Sequence, residues 1–225
     1  MSLAPPPEPA SPSVEIVGGG RFFVRRILCV GRNYAAHRRE MGGDDRDPPF
    51  FFSKPADAVV ASGSDIPYPQ ATSDLHHEVE LVTALGAGGV DVPVERALDL
   101  VFGYAVGVDL TRRDLQALAR GKGQPWDAAK GFDNSAPVGA IRPASGPQPL
   151  GHIRLSVGGE VRQDALVADM IWSVAEIISQ ASRLWRLEPG DLIFTGTPEG
   201  VGPLVRGDAV RCEIDGVGEL SFGIV

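Results

Sequence analysis

The sequence predicts a β-rich α+β fold with only a few short helices. Glycine and proline are abundant, with 28 and 19 of the 225 residues, and they divide the chain into many short segments. Short segments bounded by turns favour strands over long helices. Residues 27–30 and 101–108 are unbroken apolar runs, which are typical of buried strands. The length and the hydrophobic content of 43% are sufficient for a substantial core.

The first third of the chain predicts several strands and a short helix. We expect the strands at residues 14–17, 22–30 and 50–55. Three glycines at residues 18–20 predict the turn between the first two strands. Asn33 suits the N-cap of the helix, and Gly42 suits its end. The polar, proline-ended segment 44–49 follows two glycines, so we expect a loop that can close as a lid.

The rest of the chain alternates predicted strands with two amphipathic helices. We expect strands at residues 101–109, 153–157, 160–162, 192–194, 210–214 and 218–225, and helices at residues 111–120 and 173–185. In the first of these helices Thr111 and Asp114 resemble a capping pair, and Leu115 and Leu118 predict the buried stripe. The second helix has the clearest apolar stripe, formed by Val174, Ile177, Ile178, Ala181 and Leu184.

Composition and charge argue against several classes of protein. The formal net charge of −8 argues against a nucleic-acid-binding protein, which normally carries a basic face. No apolar run approaches the length that spans a membrane. Cys29 and Cys212 lie in apolar runs without a metal-type spacing, so we expect buried thiols in a reducing compartment, the cytoplasm. Residues 1–13 are proline-rich and predict a disordered tail, and residues 14–225 predict a single domain.

The segment 74–82 carries the acids that the functional interpretation is built on. In a strand, alternate side chains point to the same face, so Glu78 and Glu80 would lie side by side. Two carboxylates this close repel each other unless a cation lies between them or one of them holds a proton. The alternative is an exposed strand face that happens to carry two acids. His76 and His77 adjoin the pair, but neighbouring strand residues face opposite ways, so we do not expect a histidine ligand.

Asp109 and Lys130 are the next candidates for a polar site. Asp109 directly follows the apolar run 101–108, and a buried strand that ends on an acid can deliver a carboxylate into a cleft. A helix-capping role for Asp109 is the alternative. Gln116 is expected on the helix face nearest Asp109. Lys130 is either a solvated surface lysine or, close to three carboxylates, a protonated group that donates a proton or binds an anion.

Three further features carry polar groups. His37 and Glu40 share one face of the predicted first helix, either as a solvated pair or as a general base, His37, that Glu40 orients and charges. We interpret Lys54 as an ordinary lysine at the end of a strand. The glycine-rich segment 195–202 lacks the lysine and spacing of a nucleotide-binding loop. Its backbone N–H groups and the Thr197 hydroxyl can still hold a carboxylate or carbonyl oxygen.

Taken together, the motifs of this chain resemble those of the fumarylacetoacetate hydrolase family in order and spacing. They are Gly31-Arg-Asn-Tyr-Ala-Ala-His37, His77-Glu-Val-Glu80, Gly107-Val-Asp-Leu-Thr-Arg-Arg-Asp114, Lys130-Gly-Phe-Asp-Asn-Ser135 and Thr195-Gly-Thr-Pro-Glu-Gly-Val-Gly202. The segment 49–57 is most similar to the subgroup of fumarylpyruvate and acylpyruvate hydrolases. The resemblance covers nearly everything after the tail, and it implies a mixed β-sandwich roll, one catalytic domain and a homodimer.

The resemblance also implies a divalent cation, Mg²⁺ or Mn²⁺, held by Glu78, Glu80 and Asp109, and no organic cofactor. Three hard oxygen ligands leave positions for water and for a 2-oxo acid that binds through two oxygens. The implied reaction is hydrolysis of the carbon–carbon bond of an acylpyruvate, above all of fumarylpyruvate to fumarate and pyruvate in aromatic-acid breakdown.

The resemblance gives the remaining candidates a role in that reaction. His37, oriented by Glu40, would deprotonate the attacking water, and Lys130 would help to hold the charge of the departing enolate. The substrate contacts implied by motif position are Arg32, Tyr34, Gln116 and Thr197.

Three alternatives to hydrolysis remain open at this point. The same centre suits a lyase that decarboxylates oxaloacetate and an isomerase that ketonises a 2-hydroxy-dienoate, because both reactions pass through an enolate. Neither needs an attacking water. The third alternative, a non-catalytic cation-binding or scaffold protein, does not explain why His37, Glu40 and Lys130 accompany the carboxylates.

Overall fold

The computed structural model describes residues 11–34 and 48–225. Its strands are β1 (Ser13–Glu15), β2 (Arg21–Phe23), β3 (Arg26–Gly31), β4 (Phe50–Lys54), β5 (Val59–Ala61), β6 (Ser64–Ile66), β7 (Leu75–His77), β8 (Val79–Leu85), β9 (Val101–Val108), β10 (Thr111–Arg112), β11 (Ala136–Val138), β12 (Arg142–Pro143), β13 (His152–Val157), β14 (Glu160–Leu166), β15 (Asp191–Phe194), β16 (Gly202–Leu204), β17 (Ala209–Ile214) and β18 (Gly218–Ile224). Its helices are α1 (Val94–Ala97), α2 (Arg113–Gly121), α3 (Asp127–Lys130) and α4 (Val174–Leu184). None of the helices in the described ranges is long and apolar enough to cross a membrane. The prediction of a β-rich fold with a few short helices is confirmed.

The largest sheet is mixed and has β8 and β9 near its centre. Its strands lie in the order β4-β3-β15-β8-β9-β11-β5, and β12 pairs with β9. All of β8 is buried, because both faces of the sheet are covered. Val79 and Leu81 point into one core, whereas Val82 and Ala84 point into a second core on the opposite face. By this alternation Glu80 lies on the same face as Val82.

A second sheet packs against the first core and gives the fold its sandwich character. Its strands lie in the order β14-β13-β17-β18-β6, and they contact β8 and β9 of the large sheet. Helix α4 covers the same core and begins with a capping box, in which Ser173 and Glu176 exchange hydrogen bonds. Its buried residues include Val174, Ile177, Ile178 and Ala181, as predicted. Leu184 is exposed, so its assignment to the stripe is wrong: it is the last residue of the helix.

A small three-stranded sheet brings the candidate motifs together. It has the order β10-β7-β16, with β7 antiparallel to both neighbours. Strand β7 directly precedes Glu78, β10 closely follows Asp109, and β16 follows the glycine-rich segment 195–202. Three segments that are distant in sequence therefore meet beside the central strands of the large sheet.

The predicted strand at residues 22–30 is wrong, because the chain changes sheets within it. The backbone N–H of Val24 donates to the Pro12 carbonyl, and that of Arg25 donates to the Gly190 carbonyl. These two residues therefore separate β2, which belongs to a two-stranded sheet, from β3, which belongs to the large sheet. Ser13, which the sequence assigns to the tail, pairs with Phe23 as the first residue of β1.

The predicted helix at residues 111–120 begins later and faces the core differently. Thr111 belongs to β10, so the helix begins at Arg113. Asp114 accepts hydrogen bonds from the Thr72 hydroxyl and from the Leu115 N–H rather than pairing with Thr111. Leu118 is 54% exposed and Gln116 only 6% exposed, so the predicted leucine stripe is wrong. The buried side of this helix is polar because it faces the carboxylates.

Replacement of Gly200 tests how the glycine-rich segment is seated. Gly200 has a φ of +88°, and a Cβ there would overlap the carbonyl oxygen of Arg162 in β14. Gly207 is the matched control, because its φ is +93° and no atom of the described residues lies within 4 Å of its Cβ position. We expect Gly207→Ala to lower the free energy of unfolding by about 1 kcal/mol, the cost of a left-handed residue. Gly200→Ala should lose a further 1–3 kcal/mol, roughly the cost of overpacking. Equal losses in urea titrations would contradict the close approach of the two segments.

Candidate active site

Three buried carboxylates converge at the centre of the large sheet. Glu78 lies between β7 and β8, Glu80 lies in β8, and Asp109 directly follows β9. The pairing of Val79 with Val108 brings the ends of these strands together, and the Asp109 N–H donates to the Glu78 carbonyl at 2.8 Å. One carboxylate oxygen from each acid lies within 4.8 Å of the others. The two glutamates share a face, and the strand-end aspartate joins them.

Cationic side chains hold two of the carboxylates, Glu78 and Asp109. Lys130 Nζ donates to Glu78 Oε2 at 2.8 Å, to Asp109 Oδ2 at 2.7 Å and to the Thr111 hydroxyl at 2.7 Å. Arg113 donates to Glu78 Oε1 at 2.5 Å. Lys130 is therefore a buried, paired lysine rather than a solvated surface group.

The interpretation of Lys54 as an ordinary lysine at the end of a strand is wrong. Its side chain is fully buried, and Nζ forms an ion pair with Asp109 Oδ1 at 2.8 Å. The same ammonium group donates to the carbonyl oxygens of Leu110 and Lys130. Lys54 thus joins β4 to the segments that carry Asp109 and Lys130.

The pKa values of Glu78 and Glu80 shift in opposite directions because their partners differ. Burial alone would raise the pKa of Glu78, but Lys130 and Arg113 outweigh it and hold that pKa far below its usual value. The pKa of Glu80 is raised, first by burial and then by the negative charges of Asp109 and Glu78. Burial would lower the pKa of Lys130, but Asp109 and Glu78 together hold it above its usual value.

The site fits a divalent cation. Among the described residues, Glu80 has no ion-pair partner, and its Oε2 accepts one hydrogen bond, from the Gly196 N–H at 2.6 Å. A cation between the acids would relieve the repulsion that disfavours ionised Glu80. Carboxylate oxygens are the ligands that Mg²⁺ and Mn²⁺ prefer. The residues that would hold the ion are Glu78, Glu80 and Asp109.

An aromatic wall borders the carboxylates on one side. Trp126 packs edge-on against Phe50, with ring centroids 5.3 Å apart, and lies 5.9 Å from the Phe52 ring. Lys130 Nζ lies 5.0 Å from the centroid of Phe52. The wall continues into an open groove of about 440 Å³, which shares Lys130 and these three rings with the carboxylate pocket. A flat, apolar group attached to a 2-oxo acid would fit along it.

The predicted substrate contacts occupy different positions. Arg32, Gln116 and Thr197 line the carboxylate pocket together with Glu78 and Glu80. Arg32 has a φ of 60°, a left-handed backbone that turns the chain sharply after β3.

Tyr34 lies deeper, away from the pocket lining. It is 1% exposed, and its hydroxyl has no hydrogen-bond partner among the described residues. Burial and the charge of Glu80 raise its pKa. His37 and Glu40, the predicted general base and its orienting acid, lie outside the described residues, as does most of the predicted lid.

Sequence reasoning misses Lys54, Arg113 and Asn33. The Asn33 side chain donates to the Trp172 and Thr195 carbonyls and accepts from the Trp172 N–H, contacts that the sequence does not predict. The helix that Asn33 is predicted to cap lies outside the described residues. Arg113 has a usable signal, since it lies three residues before Gln116 and therefore on the same helix face. The sequence signal for Lys54 is weak, because it consists only of a lysine at the end of a largely apolar strand.

Fold and site together define a β-rich protein with a buried three-carboxylate centre suited to a divalent cation. Residues 26–225 match the model of the fumarylacetoacetate (FAA) hydrolase C-terminal family. The chain belongs to this family.

Solved structures and curated relatives support the assignment. The crystal structure of fumarylpyruvate hydrolase from Pseudomonas aeruginosa in complex with Mn²⁺ and pyruvate is 54% identical, with a TM-score of 0.94 and 97% of each chain covered. Fumarylpyruvate hydrolase of a Ralstonia species is 44% identical over 78% of this chain and 92% of its own. The mitochondrial oxaloacetate tautomerase FAHD1 of Mus musculus is also 44% identical, over 89% of this chain and 91% of its own.

Replacement of Lys54 by methionine tests the buried ion-pair network. Lys54→Met removes a cation from Asp109 and a donor from two buried carbonyls, so the free energy of unfolding should fall by about 3 kcal/mol. Lys122 is the control, because it is exposed and Lys122→Met should change stability by less than about 0.5 kcal/mol. Similar urea midpoints for the two variants would show that Lys54 does not stabilise this site.

Removal of one carboxylate charge tests the cation site directly. Glu80→Gln keeps the shape of the side chain but removes a ligand charge, so Mn²⁺ affinity measured by calorimetry should fall more than about 100-fold, beyond the loss of an outer-shell partner. Glu219, an acid 63% exposed, supplies the control variant Glu219→Gln, which should bind Mn²⁺ like the wild type. Tight Mn²⁺ binding by Glu80→Gln would exclude Glu80 as a ligand.

Proposed function

We propose that this protein is a metal-dependent hydrolase that cleaves the carbon–carbon bond of an acylpyruvate, with fumarylpyruvate as the preferred substrate. The observation that carries the proposal is the convergence of Glu78, Glu80 and Asp109 beside an aromatic groove. The crystal structure of the Pseudomonas aeruginosa relative is a complex with Mn²⁺ and pyruvate, and pyruvate is a product of this reaction.

The reaction requires three changes at the substrate. Water adds its hydroxyl to the carbonyl carbon of the acyl group, and the bond from that carbon to the methylene carbon breaks. The methylene carbon then takes a proton, so the products are fumarate and pyruvate. A divalent cation supplies positive charge where the enolate of pyruvate develops. His37, oriented by Glu40, remains the predicted base for the water.

The described side chains have distinct tasks around the substrate. Lys130 is kept cationic by Asp109 and Glu78, so it can hold negative charge on the departing enolate. Arg113 and Gln116 are joined at 2.5 Å and form the polar wall next to Glu78. The rings of the aromatic wall offer an apolar surface to the acyl group.

Tautomerisation or decarboxylation of oxaloacetate is the second candidate. The chain is 44% identical both to the oxaloacetate tautomerase of Mus musculus and to the Ralstonia fumarylpyruvate hydrolase, so overall identity does not separate the two reactions. Oxaloacetate is shorter than fumarylpyruvate, so it would not extend along the groove lined by Phe50, Phe52 and Trp126. The aromatic groove therefore favours the longer, conjugated acyl group. The homodimer and the cytoplasmic location stay predictions.

Loss of His37 separates hydrolysis from the rival reactions. His37→Ala removes the base that activates water, so turnover of fumarylpyruvate should fall roughly 10²–10⁴-fold. Any oxaloacetate decarboxylation should survive, because it needs no attacking water. The assay compares loss of diketone absorbance with pyruvate formed, in Mg²⁺, and His152, a half-exposed histidine far along the chain, supplies the control His152→Ala. Full hydrolysis by His37→Ala would remove His37 from the mechanism.

Replacement of Trp126 tests the acyl groove. Trp126→Leu removes one of the rings against which a conjugated acyl group packs, so KM for fumarylpyruvate should rise about tenfold. Acetylpyruvate is the internal control, because its methyl group offers much less surface to the ring, and its KM should change by less than about threefold. An equal rise for both substrates, or none for either, would contradict the assignment of the groove to the acyl group.

A further inference from the structure

Gln163 joins the two segments that border the carboxylate centre. It lies in β14, is 1% exposed and does not line the pocket itself. One end of its amide contacts His77 Nδ1 at 3.0 Å and the Val79 N–H at 3.1 Å, on either side of Glu78. The other end reaches the glycine-rich segment, where it contacts the Thr197 hydroxyl at 2.9 Å.

The partners of Gln163 determine which way its amide points. A backbone N–H can only donate, so the group facing Val79 is the amide oxygen. Backbone carbonyls can only accept, and the group facing the Pro198 carbonyl, at 3.0 Å, is therefore the NH₂ group. The same assignment requires His77 to carry its proton on Nδ1, because that nitrogen faces the amide oxygen.

This orientation fixes the role of the Thr197 hydroxyl. Because the amide NH₂ donates to it, Thr197 Oγ1 is an acceptor towards Gln163, and its own proton must point elsewhere. The hydrogen bonds among the described residues leave that proton unused. Thr197 lines the pocket with Glu80 and Lys130, so the O–H is free to donate there.

The backbone on the other side of Thr197 is also fixed. The Gly196 N–H donates to Glu80 Oε2 at 2.6 Å, and the Thr195 N–H and hydroxyl both reach the Leu81 carbonyl. Gly196 has a φ of +98°, and a Cβ there would lie 2.7 Å from the Asn33 Cβ. The segment is therefore held against β8 by its backbone, and Gln163 sets the side chain of Thr197.

We propose that Gln163 is a positioning residue that makes the Thr197 hydroxyl an obligatory hydrogen-bond donor to an oxygen of the bound 2-oxo acid. The inference rests on the proposed function, since it names a contact for the substrate of the same site. Gln163 acts through Thr197 and touches no substrate atom.

The test measures pyruvate affinity by calorimetry with the enzyme loaded with Mn²⁺, so it does not depend on turnover. Gln163→Glu keeps the size and the acceptor that serves Val79, but it turns an acceptor towards Thr197, whose proton then rotates away from the pocket. We expect pyruvate affinity to fall about tenfold, the value of one hydrogen bond to a charged group. Thr197→Val should produce the same loss of pyruvate affinity, and Mn²⁺ affinity should change little in both variants. Gln163→Glu should also lower Tm, because its buried carboxylate faces the Pro198 carbonyl. Gln70 is exposed, and the control Gln70→Glu should bind pyruvate like the wild type.

A double-variant cycle separates positioning from a general structural role. If Gln163 acts through Thr197, then Gln163→Glu combined with Thr197→Val should bind pyruvate no more weakly than Thr197→Val alone. Losses that add in the double variant, or unchanged affinity in Gln163→Glu, would overturn the inference while leaving the proposed function intact. Absence of pyruvate binding by the Mn²⁺-loaded wild type would instead overturn the proposed function and this inference with it. If Gln163→Glu does not fold, Gln163→Met enters the same cycle, because it removes the NH₂ donor without adding a charge.

Discussion

The balance of buried charge at the centre of the large sheet is the constraint on which the rest of the structure depends. An uncompensated carboxylate in a protein interior is costly, and this chain buries three of them within 4.8 Å. Two of the three lysines in the chain, Lys54 and Lys130, are buried to meet that charge, and Arg113 joins them from a helix. The pairing of strands β8 and β9, the short connection after Asp109 and the end of helix α3 are fixed relative to one another by these contacts. Packing of the apolar sandwich brings the strands together, and the ion pairs select the register that places the acids side by side.

The compensation is uneven, and the unevenness gives the site its chemistry. Within the described ranges, Glu78 and Asp109 each contact two cations, whereas Glu80 receives a single N–H, from Gly196. A doubly charged ion would supply the positive charge that Glu80 lacks among the described residues. In the proposed reaction, the aromatic wall would contact the acyl group, and the Thr197 hydroxyl would contact the 2-oxo acid. Proteins that share this fold are named for different reactions. We infer that the residues around the carboxylates, rather than the carboxylates themselves, determine which reaction is catalysed.

Local sequence patterns predict the parts of the site that obey local rules. Alternation along a strand places Glu78 and Glu80 on one face, and the apolar run before Asp109 predicts a strand-end acid. The interpretation of Lys54 is wrong because its partner, Asp109, lies 55 positions later, and the sequence carries no sign of that pairing. The predicted face of the helix after Asp109 is wrong too, since leucine periodicity assumes an apolar neighbour and Gln116 instead meets a charged one. Gln163 escapes sequence reasoning for the same reason: it lies between exposed residues of an edge strand, and its role comes entirely from the two segments that it joins.

The most direct test of the central claim is anomalous X-ray diffraction from crystals grown with MnCl₂ and pyruvate. We expect a single strong manganese peak within coordination distance of one oxygen each from Glu78, Glu80 and Asp109. Pyruvate should contact the same ion through its 2-oxo and carboxylate oxygens, with Lys130 still paired to Asp109. A manganese peak elsewhere, or pyruvate bound away from these three side chains, would contradict the claim that they form the metal centre.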